Sequence, residues 1–463
     1  MNPLTRRNFV SGSAFLAGAA ALPSILHGQQ TPQAASDEQR SSVSVEKTYS
    51  PVWKKPPLAP GRPGVDYKPT VTLNGSTLPF RIVDGVKVFH LTCEEVDHVF
   101  VPKTKDNDEL RAFCWGFNGS VHGPTIECVE GDRIRIYVTN KLPAATSIHW
   151  HGILLPSGMD GVGGLSQAPI DPGKTFKYEF TVWQHGTFMY HSHHDEMTQM
   201  AMGMLGMFII HPHKSKGPPP DRDYVYMLSE WRINVGTRRP DPNEMVEFNT
   251  LTLNGRAYPG TAPLLAKLGD RVRIRIGNLS AMDHHPIHVH GHAWKIVETD
   301  GGLIPEAGQW PETTVLVPTG STRTVEFAAD NPGDWAMHCH MIHHVMNQMG
   351  HGTPNLVGID PGKLDKRVRQ FLPGYMTMGQ DGMGDMGDMG MKIPKNSVPM
   401  VGSQGPHGYI TMGGMYTNLK VREDLGDFDA SKGTDFTYGG WYTNPPGTQA
   451  MEASSSELQR DLA

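Results

Sequence analysis

The sequence predicts an all-β fold made of two β-sandwich domains, and three observations carry that reading. Short runs alternate apolar and polar residues with a period of two. Glycine and proline, 52 and 37 residues of 463, punctuate them. A block near the middle of the chain then repeats what came before. Period two is the signature of half-buried strands, and Gly/Pro/Asp clusters mark the turns between them.

The first domain is expected over residues 65–213. Ile134-Arg135-Ile136-Tyr137-Val138 and Phe176-Lys177-Tyr178-Glu179-Phe180 are two of its strands, with Asp171-Pro172-Gly173 as a turn. A boundary follows at residues 214–221, where Pro218, Pro219 and Pro220 stand together. The second domain is expected over residues 222–360. There Val272-Arg273-Ile274-Arg275-Ile276 echoes the earlier strand, and Gly269-Asp270 precedes it as Gly131-Asp132 precedes its counterpart. Residues 361–463 lose the period and are expected to form a Met/Gly-rich tail. Residues 36–64, polar and proline-rich, read as a linker.

Residues 1–35 read as an address rather than as structure. Thr5-Arg6-Arg7-Asn8-Phe9-Val10 precedes the apolar run 11–26, as in a twin-arginine export signal, and this places the protein in the periplasm or outside the cell. No other stretch is apolar enough for stable membrane insertion. The net charge of −6, with no long basic run, gives no indication of nucleic-acid binding. Four cysteines are present. One pair among Cys93, Cys114 and Cys128 could form a disulfide in an oxidising compartment, and which pair stays open.

Histidine and methionine stand out at 23 and 25 residues. His-x-His pairs occur at 149/151, 191/193, 211/213, 288/290, 290/292 and 338/340, where chance gives about one. On a strand, residues i and i+2 face the same way, so each pair presents two imidazoles side by side for metal binding. Four pairs, split evenly over the two domains, lie in strand-like contexts. His211-Pro212-His213 reads as a solvated turn without a role. The segment from His338 to Met349 adds Cys339, which on a strand points away from His338 and His340 and so touches a second site. A blue-copper centre needs a thiolate, two imidazoles and a weak axial ligand. His285, His344 and Met349 are available beside Cys339.

These segments resemble the four copper motifs of the multicopper oxidases, which include laccases and cuprous oxidases. The matching residues are His149-Trp150-His151-Gly152, Tyr190-His191-Ser192-His193, His285 to Gly291, and His338 to Met349. The resemblance covers residues 65–360 and implies two cupredoxin-like Greek-key domains holding four copper ions per functional unit. It assigns His285, Cys339, His344 and Met349 to a type 1 copper. It assigns His149 and His288 to a type 2 copper, and His151, His191, His193, His290, His338 and His340 to a type 3 pair. It also implies one-electron oxidation of a donor, Cu(I) or a phenol-like organic molecule, coupled to four-electron reduction of O2 to water. Asp160, followed by Gly161, resembles the family's acidic residue near the type 2 copper, with a catalytic role. Val345 stands where many cuprous oxidases have a glutamate.

His193 and His285 are 92 residues apart, which leaves no room for a middle domain. The chain therefore resembles the two-domain oxidases, whose three-copper cluster lies between subunits of a homotrimer. Two other readings are a periplasmic copper-sequestering protein and a copper nitrite reductase-like enzyme. The first is weakened by the complete ligand sets. The second is weakened by the thiolate's position in the second domain. Two methionine groups remain. Met376, Met378, Met383, Met386, Met389 and Met391 suit capture of Cu(I) by a mobile segment. Met197, Met200, Met202, Met204 and Met207 suit packing.

Overall fold

The computed structural model describes residues 55–103, 109–215, 217–234, 237–246, 248–346, 370–371, 402–425 and 439–462. The export signal, most of the linker, Met349 and the Met376–Met391 stretch lie outside them.

Domain 1 contains β2 (Phe80–Val83), β3 (Val86–Val101), β4 (Leu110–Phe117), β5 (Gly123–Val129), β6 (Arg133–Asn140), β7 (Ile148–His151), β8 (Thr175–Thr181), β9 (Gly186–Ser192) and β10 (Leu205–His211). A short β1 (Val71–Thr72) precedes them, and helix α1 (Glu196–Ala201) lies between β9 and β10. One sheet has the order β2-β3-β6-β8, with β4 on β3, and the facing sheet is β5-β10-β9-β7. In β6 Ile134, Ile136 and Val138 are buried and Arg133, Arg135, Tyr137 and Thr139 half-exposed, as its alternation requires.

Domain 2 contains β11 (Arg222–Trp231), β12 (Thr250–Leu253), β13 (Leu264–Lys267), β14 (Arg271–Asn278), β15 (His285–Val289), β16 (Trp294–Thr299), β17 (Gly302–Leu303), β18 (Trp310–Glu312), β19 (Thr314–Val317), β20 (Ser321–Ala328) and β21 (Gly333–Cys339). A small hairpin, β22 (Ser403–Gly405) with β23 (Gly408–Ile410), precedes the last strand, β24 (Tyr416–Arg422). One sheet runs β1-β11-β14-β20-β16-β17 and the other β13-β24-β21-β15-β19.

The repeat is exact in pairing sense. β3 pairs parallel with β6 and β6 antiparallel with β8, as β11 does with β14 and β14 with β20. In the facing sheets β10 lies between parallel β5 and antiparallel β9, and β24 lies between parallel β13 and antiparallel β21. β24 is therefore the second domain's counterpart of β10. The segment expected to be a tail from residue 361 instead supplies a strand whose first six residues are buried. In chain order the Met/Gly-rich stretch falls between β21 and the β22–β23 hairpin that precedes β24.

The domains join along β14. Its burial alternates at first and then becomes continuous, because β9 and β10 cover its outer face. A Cβ on Gly277 would lie 2.7 Å from the Met207 sulfur and 2.9 Å from that of Met189. Arg275 is buried in this seam. It donates to Asp223 at 2.8 and 3.0 Å, to Glu298 at 3.2 Å and to the Thr187 hydroxyl at 2.9 Å. Met202, Met204 and Met207 are core residues, whereas Met197 is 53% exposed.

Two sequence expectations change. Cys93, Cys114 and Cys128 are all free thiols. Cys93 stands opposite Phe117 in the β3–β4 ladder and Cys114 opposite Val96, so these two do not face each other. His211 is buried at the end of β10 rather than solvated. Its Nε2 is 2.8 Å from Glu127, and its ring stacks on Tyr67 with centroids 4.4 Å apart. Among the described residues no helix is long and apolar enough to cross a membrane.

Candidate metal centres

Adjacent strands build the first centre. β15 and β21 run antiparallel with Ile287 opposite Cys339, and alternation turns Cys339 into the domain core. After β21 a single helical turn, Ile342–Val345, brings His344 back beside Cys339. The Met415 N–H donates to the His344 carbonyl at 2.8 Å, and the Cys339 N–H to the Met415 carbonyl at 3.0 Å. Gly414 has φ +56, and a Cβ there would lie 2.4 Å from the His344 carbonyl oxygen. The entry to β24 thus clamps the ligand turn, and only glycine fits at its closest point.

His285 Nδ1 and His344 Nδ1 are 3.0 Å apart, and the Cys339 sulfur lies 3.8 and 3.5 Å from them. A point inside that triangle is about 2.0 Å from all three atoms, the length of a metal–nitrogen bond. Burial pushes the Cys339 thiol up to about 12, so only a cation against it would hold the thiolate. Burial, helped by His344, lowers His285 to about 3, which keeps it the neutral imidazole that binds metals. The donor set therefore fits one soft ion such as copper. The expected axial ligand, Met349, lies outside the described residues.

The outer nitrogens of both imidazoles are also held. Ser280 Oγ is 2.7 Å from His285 Nε2, and the Asp283 carboxylate is 3.2 Å from His344 Nε2. The His344 contact pulls Asp283 down to about 2. Burial, with Asp283 adjacent, pushes Glu230 up to about 8. Glu230 Oε1 accepts the Met282 and Asp283 N–H groups at 2.8 and 3.3 Å, which fixes the loop. These residues were not anticipated from sequence. Ser280 and Asp283 could have been, since a ligating imidazole needs an acceptor for its second N–H and both stand just before His285. Glu230 is fifty residues away and carries no such signal.

The paired histidines form two quartets. In β7 and β9, His149 stands directly opposite His191; in β15 and β21, His288 stands directly opposite His338. Ring centroids within the first quartet (His149, His151, His191, His193) are 5.3–5.8 Å apart in the five contacting pairs. Those in the second (His288, His290, His338, His340) are 5.0–5.7 Å apart. No ring contact among the described residues joins one quartet to the other.

A carbonyl can only accept, so each ring nitrogen facing one carries the proton and leaves the other nitrogen for metal. His149 Nδ1 donates to the Asp160 carbonyl at 2.8 Å, and the Asp160 carboxylate is 3.3 Å away. His191 Nδ1 donates to the Ser192 carbonyl at 2.8 Å and His338 Nδ1 to that of Cys339 at 2.7 Å. His288 Nδ1 donates to the Thr313 carbonyl at 2.8 Å. His151 reverses the pattern, donating from Nε2 to the Gly320 carbonyl at 2.9 Å, and its Nδ1 lies 3.3 Å from His191 Nε2. His290 Nε2 and His338 Nε2 are likewise 3.3 Å apart. Burial lowers the affinity of His151, His191, His290 and His338 for protons, which favours the ligating form.

Comparison with known proteins agrees with this arrangement. Two family models, both for multicopper oxidases, match residues 101–215 and 234–355, one on each domain. Copper resistance protein A of Pseudomonas syringae pv. tomato is 31% identical over 245 residues, which are 42% of this chain and 39% of that protein. Laccase-1 of Cryptococcus neoformans var. grubii is 33% identical over 216 residues, 40% of this chain and 34% of that one. The match thus spans well under half the length of these relatives. Among solved structures, the multicopper oxidase mgLAC is 29% identical with a TM-score of 0.50 and covers 63% of this chain and 96% of that one. With both sandwiches matched separately and the paired histidines in equivalent registers, the chain belongs to the multicopper oxidase family.

Proposed function

We propose that the protein takes single electrons from a reducing donor, Cu(I) or a phenol-like organic molecule, and delivers four of them to O2 to give water. The observation that carries this reading is the coexistence of the His285–Cys339–His344 triad with two histidine quartets. One site suits electron entry and the others suit oxygen. Copper held there, as one type 1 ion, one type 2 ion and a type 3 pair, supplies the one-electron redox change and binds O2. Cys339 is bonded through the backbone to His338 and His340, so one strand end serves both kinds of site.

Each quartet is half of an eight-histidine set. The first quartet of one copy is completed by the second quartet of the next, and head-to-tail contacts of this kind close into a homotrimer. The second quartet borders an open surface cavity of about 760 Å3 lined by His288, His290 and Trp335, where a neighbouring copy would sit. Asp160 orients His149 and supplies protons to the oxygen-reducing site, and Met349 is the axial ligand beside Cys339. The methionine stretch, which follows the ligand turn in the chain, delivers Cu(I), because thioethers bind Cu(I) well. Export through the twin-arginine route places the enzyme in the periplasm or outside the cell.

Cys339→Ser tests the division of labour. It removes the intense blue absorption and donor oxidation while the quartets keep part of their copper. His149→Ala keeps the blue band and loses O2 reduction. Blue colour retained in Cys339→Ser would contradict the assignment.

A further inference from the structure

The chain ends in an arm that its own body does not cover. Residues 439–442 anchor it. Trp441 packs against Tyr258 and Tyr416, and the Lys420 ammonium lies 4.3 Å from the centre of its ring. The Tyr442 N–H donates to the Asp334 carboxylate at 2.6 Å, and Arg422 lies over the Tyr442 ring. Tyr416 stands directly opposite His338 in the β21–β24 ladder, and residues so paired share one face of a sheet. The arm therefore departs from the face that carries the second quartet.

Beyond the anchor every residue from 443 to 462 is exposed, yet the arm is built. Pro445 and Pro446 stiffen it, and the Thr448 N–H closes a turn on the Pro445 carbonyl at 3.2 Å. A second helix, α2 (Ser455–Leu462), follows. Ser454 caps it by accepting the Glu457 N–H at 3.2 Å. Leu458 and Leu462, 56% and 79% exposed, form one stripe on α2, and Glu457 and Asp461 run along its edge. A helix of eight residues is too short to stand alone in water, so packing has to hold it. Residues 443–454 span up to about 40 Å when extended, enough to reach a neighbouring copy.

A surface that fits α2 lies on domain 1. A groove of about 690 Å3 runs over the outer face of the β2-β3-β6-β8 sheet, lined by Phe80, Arg81, Val83, Val88 and Tyr137 among others. β2 is the edge of that sheet, and its Ile82 and Val83 are 48% and 44% exposed. Apolar edges of this kind invite pairing or cover. Arg81 is the one permanently charged residue in the groove wall, and it is exposed. Its sign complements the acidic edge of α2, as the valines and Phe80 complement the leucine stripe.

We propose that α2 of one copy docks in this groove on the next copy. Arm and groove are different surfaces of the same chain, so the contact is heterologous, and a closed ring satisfies every arm and every groove. The proposal rests on the shared-quartet reading and names the contact that fastens its neighbours together.

The test mixes two full-length chains, one carrying Leu462→Cys and the other Val83→Cys, and adds a short bismaleimide. The four native cysteines are buried, so only the new thiols react readily. Cross-linked heterodimers are expected. By light scattering, removing residues 443–462 raises the concentration at which the assembly dissociates about tenfold, and Leu458→Glu does the same. A labelled peptide of residues 443–462 binds the truncated chain, and Arg81→Glu weakens that binding about fivefold. Absence of heterodimers overturns the proposal, and a full chain that is trimeric in that case leaves the shared-quartet reading standing. A peptide that does not bind the truncated chain overturns it as well. So do cross-links confined to a chain carrying both substitutions, since the arm would then fold back on its own groove. Heterodimers in an assembly of another size keep the arm contact and refute the ring of three instead.

Discussion

Deleting residues 402–463 is expected to unfold the second domain, whereas excising residues 361–400 leaves it folded. The difference follows from β24. Met415, Leu419 and Val421 are at most 1% exposed. Burying a side chain of this kind contributes about 1.5–3 kcal/mol, so the three together contribute roughly 5–9 kcal/mol. That is comparable to the whole stability of a typical domain, about 5–15 kcal/mol. β13 and β21 would also lose a hydrogen-bonded neighbour that sits between them. Shortening the 361–400 stretch acts the other way, because each halving of a loop lowers its closure cost by about 0.6 kcal/mol. Circular dichroism and calorimetry on the two deletion variants decide the matter. The 361–400 deletion should melt cooperatively within a few degrees of the full chain, and the 402–463 deletion should lose the cooperative transition of domain 2. A 402–463 deletion that melts like the full chain would refute the assignment of β24 to the core.

Three further outcomes are expected. His149→Ala and His338→Ala, each inactive alone, should regain about a quarter of wild-type O2 reduction when refolded together in equal amounts, since a quarter of shared interfaces would then carry two intact quartets; no recovery would mean that the halves meet within one chain. Burial lowers His98 and His122 to about 3, below the unfolded value near 6.5. Protons bind only the unfolded chain across that window, so stability should fall as pH drops from about 6.5 toward 3, by up to about 1.4 kcal/mol per pH unit for each histidine. Urea titrations of His98→Phe should show a slope shallower by up to that amount. Asp283→Asn should weaken copper at the triad about tenfold, measured by competition with a Cu(I) chelator, because His344 loses the carboxylate that raises its basicity; unchanged affinity would make Asp283 a bystander.

Much of the fold and most of the site were legible in the sequence because both follow strand periodicity. Gly131-Asp132 and Gly269-Asp270 mark equivalent strands, and His-x-His spacing on a strand forces two imidazoles to one face whatever the tertiary context. β24 was missed because residues 361–401 break the period before it, and because Asn418 and Lys420 look like surface residues. In fact Lys420 is buried, with its ammonium donating to the Gly440 carbonyl at 2.6 Å and lying over the Trp441 ring. Counting strands in the repeat would have found it, since the second domain lacks a partner for β10 without it. His211 was misread for a similar reason: its partners Glu127 and Tyr67 are far away in sequence. Glu230 shows the general limit, since a residue that supports a ligand loop from a distant part of the sequence carries no spacing rule of its own.

The most direct test of the central claim is the number of electrons consumed per O2. An oxygen electrode and a donor assay run together on the copper-loaded chain should give four one-electron donor equivalents oxidised for each O2, with no hydrogen peroxide released. A ratio of two with stoichiometric peroxide, or donor binding without oxygen uptake, would contradict the account.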